Sequence, residues 1–354
     1  MTVLERSHHR PRLASVGTAV PPHAYSQQDV LTWSSETDPK IRRLFRNSHI
    51  ESRRLYLPEL VDGEPPEESN QELIDKHLRG ALEIGPKAIE AALSPLGLAA
   101  KDIGALVCIT STGFLCPGIS ARLSKHMALR DSVVRLDIVG MGCNAAVNGL
   151  RAATSLAQSH PDLVTVLVCV EICSAAYVRN RTMSTAVVNS LFGDGAAALV
   201  VRAPHGDDEP GPVAVDFEPL IVTDAIEAMR YELEGTKLSF FLERNIPFVI
   251  GEHVSRPVGR LLARHGLEVS SIDHWLLHGG GKKVIDAIRR NLGLTEHDLR
   301  HARDILRRFG NVSSGSVLFS FAELQREAIT RPGDLGLLIA MGPGTSIETT
   351  LLAW

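Results

Sequence analysis

Cysteine is scarce and unpatterned in this chain: Cys108, Cys116, Cys143, Cys169 and Cys173 among 354 residues, an odd number without disulfide-framework spacing. The first residues, MTVLERSHHRPRL, hold no apolar signal core, and the expected compartment is a reducing cytoplasm. No hydrophobic run approaches the ~18–20 residues needed to cross a bilayer, so no membrane span is expected. Charge of one sign is also lacking, since 37 Lys and Arg against 41 Asp and Glu leave a net charge of -4. That balance gives no general attraction for nucleic acid. Cys169 and Cys173 have no matching His or Cys pair to complete a ligand set, so no metal is expected and both read as core or pocket residues. Function must then reside in sites.

With 44% hydrophobic and 22% charged residues, the chain can bury two core-bearing halves. Apolar runs at 13–20, 103–110, 133–139, 164–169, 196–201, 275–277 and 336–340 read as strands. Helical periodicity marks 72–93, expected to kink or break before Pro86, and then 119–127, 144–158, 254–264, 283–292, 299–308 and 317–328. Such alternation argues for α/β layering around a buried mixed sheet. Two echoes suggest an internal duplication. SLFGDGAAALVVRA resembles IAMGPGTSIETTLLAW, and LVCITSTGFLCPG resembles WLLHGGGKKVIDAI. The expected halves are 1–205 and 206–354, joined by the Pro-, Gly- and Asp-rich stretch 203–215, which reads as a surface connection.

Three residues stand in unusual glycine-rich settings. In DIVGMGCNAAVNGLRAATSLAQSHP a strand ends in Gly-Met-Gly, displays Cys143 and turns into an Ala-rich helix, where the positive helix end favours thiolate. Taken alone, Cys143 is equally well a buried small hydrophobe. His278 ends the strand HWLLH before three glycines, where a neutral imidazole can take a thiol proton. His274, at the other end of that strand, lacks the glycine turn and is the weaker candidate. Asn311 in RFGNVSSGSVLF reads equally as an N-cap or as an amide donor to a developing oxyanion.

GMGCNAAVNGL, LFGDGAAAL, WLLHGGGKKVIDAI and RFGNVSSGSVLF together resemble the four signature blocks of type III polyketide synthases, the chalcone synthase-like enzymes, in order and spacing. The likeness runs from about Ala14 to Trp354. It implies a homodimer of the five-layered αβαβα thiolase fold, with two similar halves. It also implies that Cys143 carries the starter and growing chain as a thioester, while His278 and Asn311 serve decarboxylation and condensation. Phe192 and Phe240 match the gatekeepers, with Phe241 one residue from that assignment. Cys173 and Ala176 fall at cavity positions. Cys116 stands where plant relatives place a Met that reaches the partner's cavity. Lys40, Arg43 and Arg46 on the basic helix of DPKIRRLFRNS, with Gly280 and Gly281, match the coenzyme A contacts. Asn47 replaces one basic position there, and Lys282 and Lys283 are weaker matches. No cofactor is implied beyond coenzyme A thioesters as substrates.

Within that family DIVGMGCNA, ICSAAY, TAVVNSLFGDG and TRPGDLG resemble the bacterial group that joins four malonyl-CoA units into 3,5-dihydroxyphenylacetyl-CoA. An accessory hydratase is a further partner this resemblance allows. The alternatives are a synthase making a tetrahydroxynaphthalene, alkylresorcinol or pyrone, a Cys-His acyl hydrolase, or a silent binding protein on the same fold.

Overall fold

The computed structural model describes residues 10–177, 180, 182–204, 210–234 and 237–354. The chain begins β1 (Arg12–Ala19), β2 (Ala24–Ser26), α1 (Gln27–Trp33), α2 (Pro39–Arg46), β3 (Ser52–Arg54), α3 (Asn70–Leu93), β4 (Ile103–Thr110) and α4 (Ile119–His126). It continues β5 (Val134–Val139), α5 (Ala145–Ser159), β6 (Val164–Glu171), α6 (Met183–Leu191), β7 (Gly195–Arg202), β8 (Val213–Ile221), β9 (Met229–Glu234) and β10 (Lys237–Leu242). It closes with α7 (Ile246–His253), α8 (Ser255–Arg264), β11 (His274–Leu277), α9 (Lys282–Leu292), α10 (Arg300–Phe309), α11 (Ser316–Glu327), β12 (Leu335–Gly342) and β13 (Ser346–Ala353).

Nine strands form the ladder β11-β12-β13-β8-β1-β7-β6-β4-β5. Its two sides repeat one pattern. β1 is antiparallel to β7 and β7 to β6, while β6 is parallel to β4. Equally, β8 is antiparallel to β13 and β13 to β12, while β12 is parallel to β11. The two sides of the ladder join where Arg12 of β1 pairs with Val213 of β8. The sequence echoes fall on equivalent strands, β7 with β13 and β4 with β11. That is the duplication expected from the glycine turns.

Side-chain alternation along each strand builds the layers. Val166, Val168 and Val170 of β6 face α3 and α4, whereas Leu167 and Cys169 face α5 and α11. Leu338 and Ala340 of β12 close over that central helix pair from the other side, while Leu337 and Ile339 face α7 to α10. The result is αβαβα, the thiolase architecture.

Three local expectations need correction. Pro86 lies inside one helix, α3, because packing on β1, β6 and β7 outweighs the lost backbone bond. The stretch 203–215 is not wholly a loop: Val213, Ala214 and Val215 are buried in β8, paired with β1 and β13. Residues 205–209 and the half-boundary at 205/206 lie outside the described residues. The hairpin β9 and β10 was also unforeseen, although MRYELE alternates apolar and polar residues as a strand should. Among the described residues, no helix is long and apolar enough to cross a membrane.

Candidate active site

Gly140 and Gly142 adopt φ of +83° and +76°, the left-handed conformations that let β5 turn sharply into α5. A Cβ on Gly142 would also lie 2.3 Å from Pro343. Cys143 therefore sits in a single 3₁₀ turn, Gly142–Asn144, just ahead of the α-helix rather than in its first turn. Only 8% of Cys143 is exposed, and its Sγ lies 3.4 Å from Ser313 Oγ. Burial pushes the thiol up to about 12, and the nearby Glu171 carboxylate adds to the rise, although the Ser313 hydroxyl opposes it. The expected resting thiolate is thus corrected. Desolvation outweighs the helix end.

Ser313 leads directly to Asn311. Asn311 Oδ1 accepts from Ser313 N at 2.9 Å and from Ser316 Oγ at 3.4 Å, which aims Nδ2 at Gly280 O, 3.3 Å away. Asn311 is not the expected N-cap, since the turn Ser313–Gly315 begins after Val312, although its oxygen accepts from Ser313 N–H and its amide nitrogen lies on the Gly280 side. His278 follows β11, anchored by its N–H to Ile339 O at 2.9 Å, and its Nε2 would be 3.3 Å from a Cβ on Gly280. Cys143 is therefore linked through Ser313 and Asn311 to the Gly280 carbonyl, two residues along the chain from His278. His274 is spent elsewhere, on Asp334 at 2.8 Å and against Trp354.

His278 is 2% exposed, its Nδ1 has no hydrogen-bond partner among the described residues, and burial pushes it down to about 4. His77 behaves alike, pushed down to about 4 by burial. Between pH 6.5 and 4 the unfolded chain takes up two protons that these folded rings refuse, so stability falls on acidification. Asp194 opposes this, because burial raises it to about 6 and the folded form is protonated first as pH falls. From these three groups a net loss of about 2 kcal/mol is expected between pH 7 and pH 5. Urea unfolding at both values checks the sign; greater stability at pH 5 contradicts it.

The site opens on a cavity of about 260 Å³ whose walls include Cys143, Ser313, Phe192, Phe240, Cys173 and Ala176. Phe192 and Phe240 meet edge to face, ring centroids 5.7 Å apart. Strand alternation in β10 sends Phe241 the other way, where Arg230 lies over its ring at 4.1 Å. Phe192 is fixed from behind by Arg53, which is fully buried and donates to Phe192 O at 2.8 Å and Gln27 Oε1 at 2.7 Å. Gly193 must lack a side chain, since a Cβ there would be 2.2 Å from Phe309 O.

Lys40, Arg43 and Arg46 are exposed on α2, whose apolar face buries Ile41 and Phe45. Asn47 is exposed beside them. Lys282 pairs with Asp286 at 2.5 Å. Cys116 is exposed and is not among the residues lining the cavity beside Cys143. Sequence reasoning missed Glu171, a fully buried carboxylate that accepts from Ser111 N, Thr112 Oγ1 and Ser314 Oγ and reaches Ser313 Oγ at 3.4 Å. Its signal was a lone acid ending an otherwise apolar strand. Tyr231 was missed with its strand.

Family models for chalcone and stilbene synthases match here, the N-terminal domain over residues 2–205 and the C-terminal domain over residues 219–353. The chain belongs to the chalcone and stilbene synthase family. It is a type III polyketide synthase. It is 49% identical to a 3,5-dihydroxyphenylacetyl-CoA synthase of Streptomyces toyocaensis, across 98% of this chain and 90% of that one. A 1,3,6,8-tetrahydroxynaphthalene synthase of Streptomyces peucetius subsp. caesius is 31% identical, across 100% and 95%. The crystal structure of PKS-I from Ectocarpus siliculosus superposes with a TM-score of 0.90 at 26% identity, covering 98% of both chains. Family membership accounts for the duplicated halves and for the position of the cysteine between them.

Proposed function

We propose that this synthase joins four malonyl-CoA units by decarboxylative condensation and closes the chain to 3,5-dihydroxyphenylacetyl-CoA. The observation that carries the chemistry is the link from Cys143 through Ser313 and Asn311 to the Gly280 carbonyl, two residues along the chain from His278. The likeness to the Streptomyces toyocaensis enzyme supports the product. Cys143 Sγ attacks the malonyl thioester, its proton passes to His278, and the departing coenzyme A thiolate takes a proton in return. Burial disfavours the lone thiolate and the lone imidazolium alike, and their opposite charges offset that penalty when they form together. His278 and Asn311 N–H groups then receive the thioester oxygen of the next malonyl unit as carbon dioxide leaves and enolate charge develops. The enolate carbon attacks the Cys143 thioester, lengthening the chain by one two-carbon unit and freeing the sulfur for the next transfer. Lys40, Arg43 and Arg46 face the coenzyme A phosphates, and Gly280 and Gly281 border its pantetheine arm. Phe192 and Phe240 guide the acyl end without hydrogen-bonding it.

Incubation with malonyl-CoA as sole substrate is expected to give an aromatic tetraketide thioester by mass spectrometry. Preference for a long-chain acyl-CoA starter contradicts the product, and hydrolysis without condensation contradicts the reaction. β5 ends the ladder with Val134, Leu136 and Val139 exposed, followed by exposed Met141. This apolar edge is suited to a second copy of the chain, which brings Cys116 toward the partner's cavity. Light scattering is expected to give twice the chain mass, and a monomer at micromolar concentration rejects the pairing.

A further inference from the structure

Each chain extension needs one proton from water. When carbon dioxide leaves the malonyl unit, the electron pair of the broken carbon–carbon bond becomes the enolate. The enolate carbon then bonds to the acyl carbon, the carbon–sulfur bond breaks, and Cys143 is left as a thiolate. Its own proton went to coenzyme A through His278 at loading. Burial disfavours the thiolate, yet only 8% of Cys143 is exposed to take a proton directly.

A line of hydrogen-bonding groups runs away from that sulfur. Ser313 Oγ lies 3.4 Å from Cys143 Sγ and 3.4 Å from Glu171 Oε1. Thr112 Oγ1 donates to Glu171 Oε2 at 3.0 Å, and because it already accepts from Ile172 N at 2.9 Å, its one proton is aimed at the carboxyl group. Thr110 Oγ1 is 3.5 Å from Thr112 Oγ1, and His77 Nε2 is 3.0 Å from Thr110 Oγ1. Burial raises Glu171 toward its neutral form, in which it can both give and take a proton.

The outer end of the line meets a second cavity. His77 is 1% exposed, and its Nδ1 has no hydrogen-bond partner among the described residues. A Cβ on Gly113 would lie 2.6 Å from that ring, so the turn after β4 holds it in place. His77 lines a cavity of about 260 Å³, distinct from the one beside Cys143, and Thr112, Ala176 and Tyr231 line both. Ile74, Phe114 and Leu238 on its walls are exposed, so the cavity reaches the protein surface. It has room for several waters at roughly 30 Å³ each.

We propose that His77, Thr110, Thr112, Glu171 and Ser313 form a relay that carries one proton from water in the second cavity to the Cys143 thiolate after each condensation. A proton enters at His77 Nδ1 as Nε2 passes its own to Thr110. Each threonine takes one proton and hands on another. Glu171 receives at Oε2 and gives from Oε1 to Ser313, whose hydroxyl proton goes to the sulfur. The hydroxyls then turn back and the line is reset. His77 touches no reacting atom and acts through Glu171. The relay rests on the reading of Cys143 as the acyl-bearing residue.

The test compares His77→Gln, His77→Ala and Thr110→Val in the full chain, with malonyl-CoA as sole substrate. Glutamine keeps a donor toward Thr110 but passes no proton through itself, so kcat is expected to fall about tenfold or more with KM unchanged. His77→Ala is expected to fall alike and to recover several-fold when imidazole is added to the buffer, since the second cavity leads to the vacated place. Thr110→Val breaks the line further in and is expected to lose as much and to gain nothing from imidazole. A Gln variant with wild-type kcat overturns the proposal. So does a folded Ala variant that imidazole leaves unimproved, or a Val variant that imidazole restores equally. Loading of Cys143 is read separately, as the mass added to intact wild-type protein by acetyl-CoA. Its failure removes the thioester reading, whereas normal loading beside a fully active Gln variant removes the relay alone.

Discussion

Cys143→Ala is expected to lower polyketide formation by about 10⁴-fold or more while malonyl-CoA decarboxylation persists. The two activities separate because they use different atoms of one site. Chain extension needs a sulfur that forms and later surrenders a thioester, which alanine cannot supply. In the proposed mechanism decarboxylation needs only donors facing the thioester oxygen, assigned to His278 and Asn311. The substitution removes one sulfur atom from a site whose frame is otherwise independent of it: Ser313 N still binds Asn311 Oδ1, and Asn311 Nδ2 still reaches Gly280 O. Carbon dioxide release and product mass, measured on the same sample, decide the matter. Unchanged polyketide output refutes the nucleophile assignment, and loss of both activities refutes the division of labour. Asn311→Ala is the counterpart, and its loss falls on decarboxylation first.

The second large effect concerns stability. Arg53→Leu is expected to cost about 3–5 kcal/mol. The guanidinium is wholly buried and donates to Tyr177 Oη, Asn189 O, Phe192 O and Gln27 Oε1, at distances of 2.6 to 2.8 Å. Burial pulls its own pKa down, while Tyr177 and Asp194 nearby hold the charge in place. Leucine fills part of the volume and satisfies none of these acceptors. Asp194 then loses one nearby cation and keeps Lys76, and the Phe192 carbonyl loses one of its two side-chain donors, keeping the Tyr177 hydroxyl at 2.6 Å. A shift of the urea midpoint to lower denaturant checks the effect. A midpoint equal to that of the wild type shows that the network contributes little.

Much of the fold was legible because its cues are local. The runs at 103–110 and 164–169 became β4 and β6, since a strand buried on both faces reads as unbroken apolar sequence. Gly140 and Gly142 announced the turn at Cys143 through a backbone requirement that acts within three residues. β8 was illegible for a different reason. Asp216 and Glu218 interrupt β8 and find their partners in Arg264 and Arg260, more than forty residues away. A polar residue in a strand looks like a loop until its distant partner is known.

The thiolate expectation failed for the same cause. Position in the chain placed Cys143 near a helix start, but its ionisation depends on how much water reaches the sulfur, and Glu171 and Ser313 come from other strands and turns. Choosing His278 over His274 followed the glycines, and in the structure His274 is engaged by Asp334 and Trp354.

The sequence by itself determined the reactive residue types, the glycine turns that display them, the duplicated halves and the family, because each depends on short-range backbone freedom and on patterns within single elements. Only the tertiary structure decided that burial raises the Cys143 thiol, that Arg53 braces Phe192, and that Tyr231 lines two cavities. Desolvation, buried polar pairing and cavity shape are sums over residues far apart in the chain, and they come into being only when the layers close.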